Sequence, residues 1–226
     1  MEIKYTIFSE AGKRRANQDI CRVIESPECN RTLMVVCDGM GGHSMGDVAA
    51  ETVCNTICEY WNNNTETKDS DMKVTEACKA ASVALYKRSR VVRPIDMGTT
   101  MAMASVEGNI VTIAHCGDSR CYLLRDGGVV YQTKDHVGDS FGWEIVTKCF
   151  FSSNLEAAVP DIAQFEVKPG DRIFLCSDGV YKAIAPQILT ARLQDEKPLE
   201  EVVDVIKFMC EKYSTDNYSG ILAIVV

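Results

Sequence analysis

Thr32-Leu33-Met34-Val35-Val36-Cys37 runs without a break into Asp38-Gly39-Met40-Gly41-Gly42-His43. The first part is a short, uninterrupted apolar run, the pattern of a buried β-strand, and it delivers a carboxylate where the apolar residues stop. Arg172-Ile173-Phe174-Leu175-Cys176 repeats the arrangement and ends in Ser177-Asp178-Gly179. His115-Cys116-Gly117-Asp118-Ser119-Arg120 places another aspartate between two strands, Asp216-Asn217 precedes the last strand, and Asp19 opens one after Arg14-Arg15-Ala16-Asn17-Gln18.

Taken singly, Asp-Gly is turn chemistry: Asp caps the turn through the backbone and Gly supplies positive φ. Taken together, these carboxylates would repel one another if strand tips brought them into one cleft, so a convergent set is tolerable mainly as a metal site. Oxygen-only ligands suit the hard cations Mg²⁺ and Mn²⁺. The chain has 3 histidines and no H-x-x-x-H, which removes the usual zinc hydrolase constellations.

Working outward, periodicity predicts strands at 3–8, 19–24, 32–37, 99–106, 109–115, 119–125, 128–133, 161–167, 172–177 and 220–226. The short turns between 99 and 133 read as one antiparallel meander, because they leave no room for parallel crossovers. Ala49, Val53, Ile57 and Trp61 repeat at helical spacing, as do Val74, Ala77, Ala81 and Leu85, and again Leu199, Val202, Ile206, Met209 and Tyr213 after Pro198. Asn62 to Thr67 reads as a helix-to-helix loop. Strands early, in the middle and last, with helices between them and no linker, give a single α+β domain over 1–226, with helices covering packed antiparallel sheets.

The 226 residues suffice for a sizeable core, and 46% hydrophobic with 25% charged residues is ordinary globular composition. A net charge of −8 disfavours nucleic acid and anionic membranes as partners, so a phosphate ligand would need local positive charge. No stretch approaches the roughly 18 apolar residues of a membrane span, and Met1-Glu2-Ile3-Lys4 does not open a signal peptide. The 11 cysteines are odd in number and scattered, several of them (Cys37, Cys116, Cys176, Cys210) in apolar runs, which fits a reduced, cytoplasmic compartment.

The order of these segments resembles the PP2C-type (PPM) metal-dependent protein serine/threonine phosphatases, from about Gly12 to Val226. The resemblance rests on Arg14-x-x-Asn17-Gln18-Asp19, Asp38-Gly39-Met40-Gly41-Gly42-His43-x-x-Gly46, Gly98-Thr99-Thr100 and Gly117-Asp118-Ser119-Arg120. It continues through Asp135-His136, Gly170-Asp171, Cys176-Ser177-Asp178-Gly179 and Asp216-Asn217. It implies a β-sandwich of two antiparallel sheets with helices on both outer faces, four layers in all, and a metal cleft at one edge. It also implies hydrolysis of phosphoserine and phosphothreonine in proteins. Asp38 would bridge two cations, Mn²⁺ or Mg²⁺, with the Gly39 carbonyl, Asp19, Asp178 and Asp216 completing the protein ligands. Arg14 would bind the substrate phosphate. The partners implied are phosphorylated proteins and an opposing serine/threonine kinase, with the enzyme itself a monomer.

Other positions stay open on the residues alone. Asp118 is either a ligand for a weaker third cation or a tight-turn aspartate. Lys182 stands where many family members carry a further acidic ligand; its ammonium either enters the cleft and opposes that third cation or points to solvent. His43 is a proton donor or a turn ligand, since the position directly after Asp-Gly is Met40. His136 is read as ordering the cleft from behind, His115 as structural, and Met97, Met101 and Met103 as core. The segment 138–159 reads as a reduced flap with Val146-Thr147-Lys148 as its remnant. Two rival functions remain: a non-catalytic regulator on the same fold, whose signature would be lost metal ligands, and a phosphatase of a small phosphorylated metabolite.

Overall fold

The structure is a computed structural model that describes the chain except residues 27–29, 41–44, 65–69, 93–95 and 157, and the side chain of residue 70. The first half runs β1 (Ile3–Glu10), β2 (Asp19–Ser26), β3 (Arg31–Met40), α1 (Gly46–Asn63), α2 (Ser70–Val92), β4 (Gly98–Thr99), β5 (Met101–Glu107) and β6 (Ile110–Cys116). It is followed by β7 (Arg120–Arg125), β8 (Gly128–Gln132), β9 (Val137–Ser140), β10 (Trp143–Val146), β11 (Phe150–Phe151), β12 (Asp161–Glu166) and β13 (Arg172–Cys176). Three helices, α3 (Asp178–Tyr181), α4 (Pro186–Leu193) and α5 (Leu199–Tyr213), precede the last strand, β14 (Tyr218–Val225).

The strands form two large antiparallel sheets. One has the order β1-β14-β13-β7-β8; the other runs β11-β4-β3-β5-β6-β12, with β2 also paired to β3. Alternation along the apolar runs explains why both sheets are covered on both faces. In β3, Leu33, Val35 and Cys37 pack beneath α1 and α2 with Trp61 and Leu85, whereas Met34 and Val36 meet the opposite sheet. In β13, Ile173 and Leu175 face that same inter-sheet core, and Phe174 and Cys176 face α4 and α5 through Leu189, Val202 and Ile206. The apolar runs 33–37 of β3 and 173–176 of β13 are thus unbroken because both their faces are buried, and the result is four layers, helices over sheet over sheet over helices. Met97, Met101 and Met103 are buried in the core beneath α1 and α2, as expected.

Three readings are corrected. The stretch 99–133 is not one meander: β5 and β6 belong to one sheet, β7 and β8 to the other. The chain changes sheets at Gly117-Asp118, with Gly117 at φ 117°; a tight turn within a sheet and a tight crossing between sheets have similar local chemistry. Residues 137–146, where the periodicity placed no strand, form a hairpin, β9–β10, that pairs with neither large sheet and lies in the segment read as a reduced flap. Strand β3 runs on through Asp38 and Gly39 to Met40 instead of stopping at Cys37. The periodicity also passed over α4, a short helix that buries Leu189 and Leu193. The proposed loop over 62–67 falls largely on residues outside those described.

Phe174 is fully buried between β13 and the helices above it. Phe174→Ala is expected to lower unfolding stability by about 3–5 kcal/mol, read as a fall in the urea midpoint with an unchanged slope.

Candidate active site

Strand pairing brings the first two carboxylates together: in the β2–β3 ladder Asp19 lies directly opposite Asp38. Asp178 begins α3 at the end of β13, Asp216 precedes β14, and Asp118 occupies the crossing from β6 to β7. A cleft of about 370 Å³ at the edge of the sandwich is lined by Asp38, Gly39, Asp118, Asp178, Asp216 and Arg14. Asp19 lies buried behind Asp38. The residues singled out from the sequence as ligands therefore converge, although they come from separate segments of the chain.

The two Asp-Gly pairs beside the cleft are not turns. Neither Gly39 nor Gly179 has positive φ; glycine is required there because backbones approach too closely for a side chain. A Cβ on Gly39 would collide with the Gly46 carbonyl, and one on Gly179 with the Asn217 carbonyl. The first contact packs the start of α1 against β3, and the second packs α3 against the segment carrying Asp216. Beside the cleft, Gly117 next to Asp118 does adopt positive φ, as Gly127 does in the Asp126-Gly127 turn away from it.

A shell of hydrogen bonds fixes the carboxylates from behind. Thr99 Oγ1 donates to the Asp38 carbonyl at 2.8 Å, and the Asp38 N–H donates to Thr100 Oγ1 at 3.1 Å. Thr100 is bonded in turn to Ser119 at 2.7 Å. Ser177 Oγ donates to Asp19 Oδ2 at 2.7 Å. Asn217 accepts from the Gln18 N–H at 3.0 Å and donates to the carbonyls of Ala11 and Ala16 at 2.9 and 2.8 Å, clamping the loop that carries Arg14. Arg14 itself donates to Asp216 Oδ2 at 2.8 Å and to the Thr215 carbonyl at 3.2 Å. Arg15 is exposed and does not line the cleft.

The electrostatics are those of a site made for cations. Burial pushes Asp19 up to about 6, with the charges of Asp178 and Asp216 adding to the rise and the hydroxyls of Ser177 and Ser219 opposing it. Asp38 is pushed well above the carboxylate range by burial first and then by Asp19, Asp178, Asp118 and Asp216. Asp19 Oδ1 is buried with no hydrogen-bond partner. An orphaned carboxylate oxygen amid mutually repelling carboxylates, all offering hard oxygen donors, fits one or more divalent cations.

Lys182, the C-cap of α3, enters the cleft. Its Nζ lies 2.8 Å from Asp178 Oδ2, 3.6 Å from Asp118 Oδ2 and 3.4 Å from Glu144 Oε1. Burial by itself would depress the lysine, but its hydrogen bond to Asp178 and the charges of Asp178, Asp118 and Glu144 raise it overall. Burial raises Asp118, Asp178 adds to the rise, and Lys182 opposes it. Of the sequence alternatives for Lys182, the one in which its ammonium reaches the cleft is the one observed.

His136 supports the cleft from outside: its Nδ1 accepts the Gly117 N–H at 3.1 Å, holding the crossing that presents Asp118. Its ring stacks on that of His115 at 4.4 Å and 9°, and its Nε2 lies 3.2 Å from Asp161 Oδ2. His115, His136 and Asp161 have metal-ligating side chains close together, but parallel rings aim their in-plane lone pairs past each other instead of at one ion. His43 lies outside the described residues. The sequence reading missed Glu144, because nothing in the local pattern of β10 marks a residue that reaches across to another element.

A family model described as protein phosphatase 2C matches residues 9–222. The serine/threonine protein phosphatase PstP of Mycobacterium tuberculosis is 28% identical over 99% of this chain, which spans 45% of that relative's length. The serine/threonine phosphatase stp of Listeria monocytogenes is 26% identical over 93% of this chain and 90% of its own. Among solved structures, the catalytic domain of PstP in complex with two manganese ions superposes with a TM-score of 0.83 at 26% identity, covering 99% of this chain and 98% of that one. A serine/threonine phosphatase of S. agalactiae superposes at 0.88 over 100% of both chains, at 22% identity.

Gly179→Ala forces α3 away from Asn217 and so displaces both Asp178 and the Arg14 clamp. The expected result is a stability loss of about 1–3 kcal/mol, read by thermal melting, together with weaker Mn²⁺ binding by calorimetry.

Proposed function

The chain belongs to the protein phosphatase 2C family, and from that premise we propose that it hydrolyses phosphoserine and phosphothreonine in proteins with the help of two divalent cations. One observation carries the reading: Asp38, Asp178 and Asp216, from three separate segments, line a single cleft with an arginine at its rim, and Asp19 is paired directly opposite Asp38. All four candidate ligands are present, which is the feature a non-catalytic regulator on this fold would be expected to lack.

Asp38 and Asp19, side by side on the β2–β3 ladder, together with Asp178, Asp216 and the Gly39 carbonyl, would hold the cations. When bound, these supply Lewis acidity that lowers the pKa of water and offsets phosphate charge. The protein's own groups do the rest. Thr99 and Thr100 keep Asp38 from turning away by holding its backbone on both sides. Ser177 occupies one oxygen of Asp19 and leaves the other, buried and unpartnered, free to hold a cation. Arg14 presents a planar fork suited to two phosphate oxygens, and its bonds to Asp216 and the Thr215 carbonyl set the plane of that fork. Met40 lines the cleft and offers no proton to the departing alkoxide.

The carboxylate set accepts Mg²⁺ as readily as Mn²⁺ in donor type. The Lys182 ammonium stands 3.6 Å from Asp118, considered above for a third cation, and its charge opposes a further cation there, so the reading favours two cations over three. The ten described cysteines are all free, which supports placement in a reducing cytoplasm; no helix among the described residues is long and apolar enough to cross a membrane. A single domain acting as a monomer against a cognate serine/threonine kinase completes the reading. A phosphopeptide turned over far better than small phosphometabolites would separate it from the metabolite alternative.

Activity on a phosphothreonine peptide should vanish with chelator and return with Mn²⁺ or Mg²⁺. Asp38→Asn keeps the shape and removes a charge, and should lower kcat by roughly a hundredfold or more at saturating metal; near-normal turnover would refute the two-cation site. Arg14→Ala should cut kcat/KM about tenfold or more on every phosphomonoester, with Arg15→Ala mild. Equal losses at the two positions would show that the wrong arginine has been assigned.

A further inference from the structure

The β9–β10 hairpin stands beside the cleft with little to hold it. Its strands join through Phe141 and Gly142, both at positive φ (54° and 81°), and pair only with each other. Its base is tied by the His136 N–H to the Gly117 carbonyl and by the Thr147 N–H to the His136 carbonyl. Two-stranded hairpins are marginally stable by themselves in water. Alternation sorts its side chains: Val137, Glu144 and Val146 line the cleft, while Trp143 and Ile145 lie on the other face and are exposed, as is Phe141 at the tip. Toward the tip, Glu144 Oε1 makes an ion pair with Lys182 Nζ on the body of the protein.

Lys182 has three carboxylate neighbours, and they are unequal. Asp118 and Asp178 are held by the fold, with side chains 7% and 19% exposed. Glu144 is 58% exposed and rides on the hairpin, so it is the partner that can exchange. Among the described residues, Arg14 and Lys182 are the cationic side chains lining the cleft. A phosphomonoester dianion entering there meets the Lys182 ammonium and is repelled by the Glu144 carboxylate.

We propose that Lys182 is a second phosphate-binding side chain, masked by Glu144 in the ligand-free protein, and that an arriving phosphate displaces Glu144 and releases the β9–β10 hairpin. This rests on the cleft being the phosphate site of the proposed hydrolase, and extends it: substrate binding and hairpin release become one event. A released hairpin leaves Phe141 and Trp143 free to settle against the polypeptide that carries the phosphate, so a phosphoprotein gains contacts that a small phosphomonoester does not.

Hydrogen exchange followed by mass spectrometry on peptides spanning 137–147 tests this in the Mg²⁺-loaded protein, with and without inorganic phosphate. In the native chain phosphate should accelerate exchange across the hairpin. Glu144→Gln should exchange quickly without phosphate and respond little to it. By calorimetry its dissociation constant for phosphate should fall about two- to fivefold, the scale of a partly exposed ion pair, and Lys182→Met should raise that constant instead. Unchanged exchange on adding phosphate, or a Glu144→Gln protein matching the native one in exchange and affinity, overturns the proposal. Turnover of a phosphopeptide with unchanged hairpin exchange overturns the latch and leaves the hydrolase standing; phosphate-dependent exchange without any turnover does the reverse.

Discussion

Aspartates that repel one another are held together at one end of this protein, and the rest of the structure can be understood as what prevents them from separating. Like charges a few ångströms apart cost on the order of several kcal/mol even at an effective dielectric near 20. The restraint comes from the inter-sheet core, where Met34 and Val36 of β3 interlock with Ile173 and Leu175 of β13 and Ile221 of β14. The strands that build this core are the ones that end at, or pass through, Asp38, Asp178 and the residues after Asp216. Separating the carboxylates would therefore mean unpacking the sandwich.

Close backbone approach does the fine positioning. Gly39 against Gly46 and Gly179 against Asn217 let a helix and a loop press onto strand ends at distances no side chain would allow. Threonine and serine hydroxyls then take up the polar groups this exposes, and Asn217 binds the loop of Arg14 from three directions. Among the described residues, Asp19 Oδ1 is the buried carboxylate oxygen without a hydrogen-bond partner, which is the environment a cation would complete.

Internal cations make up part of that deficit. Arg14 pairs with Asp216 at the rim, and Lys182 sits among Asp118, Asp178 and Glu144. One carboxylate of the latter group belongs to the hairpin, which couples the charge balance of the cleft to the position of a loosely held element. Backbone hydrogen bonds fix the base of that hairpin, and the Glu144–Lys182 ion pair ties its cleft face.

Much of this was legible in the chain itself. The apolar runs 32–37 and 172–176 announce strands buried on both faces, with Asp38 and Asp178 where they stop and Asp19 and Asp216 where other strands begin, because burial pattern and residue chemistry are local properties. The helices of 46–63, 70–92 and 199–213 follow from periodicity for the same reason. Tertiary structure alone decided that β6 and β7 lie in different sheets, that Gly39 and Gly179 serve close packing instead of turns, and that Lys182 meets Glu144 across the cleft. Each of these depends on which distant segment lies opposite, and a residue's own neighbours in sequence carry no record of its partners in space.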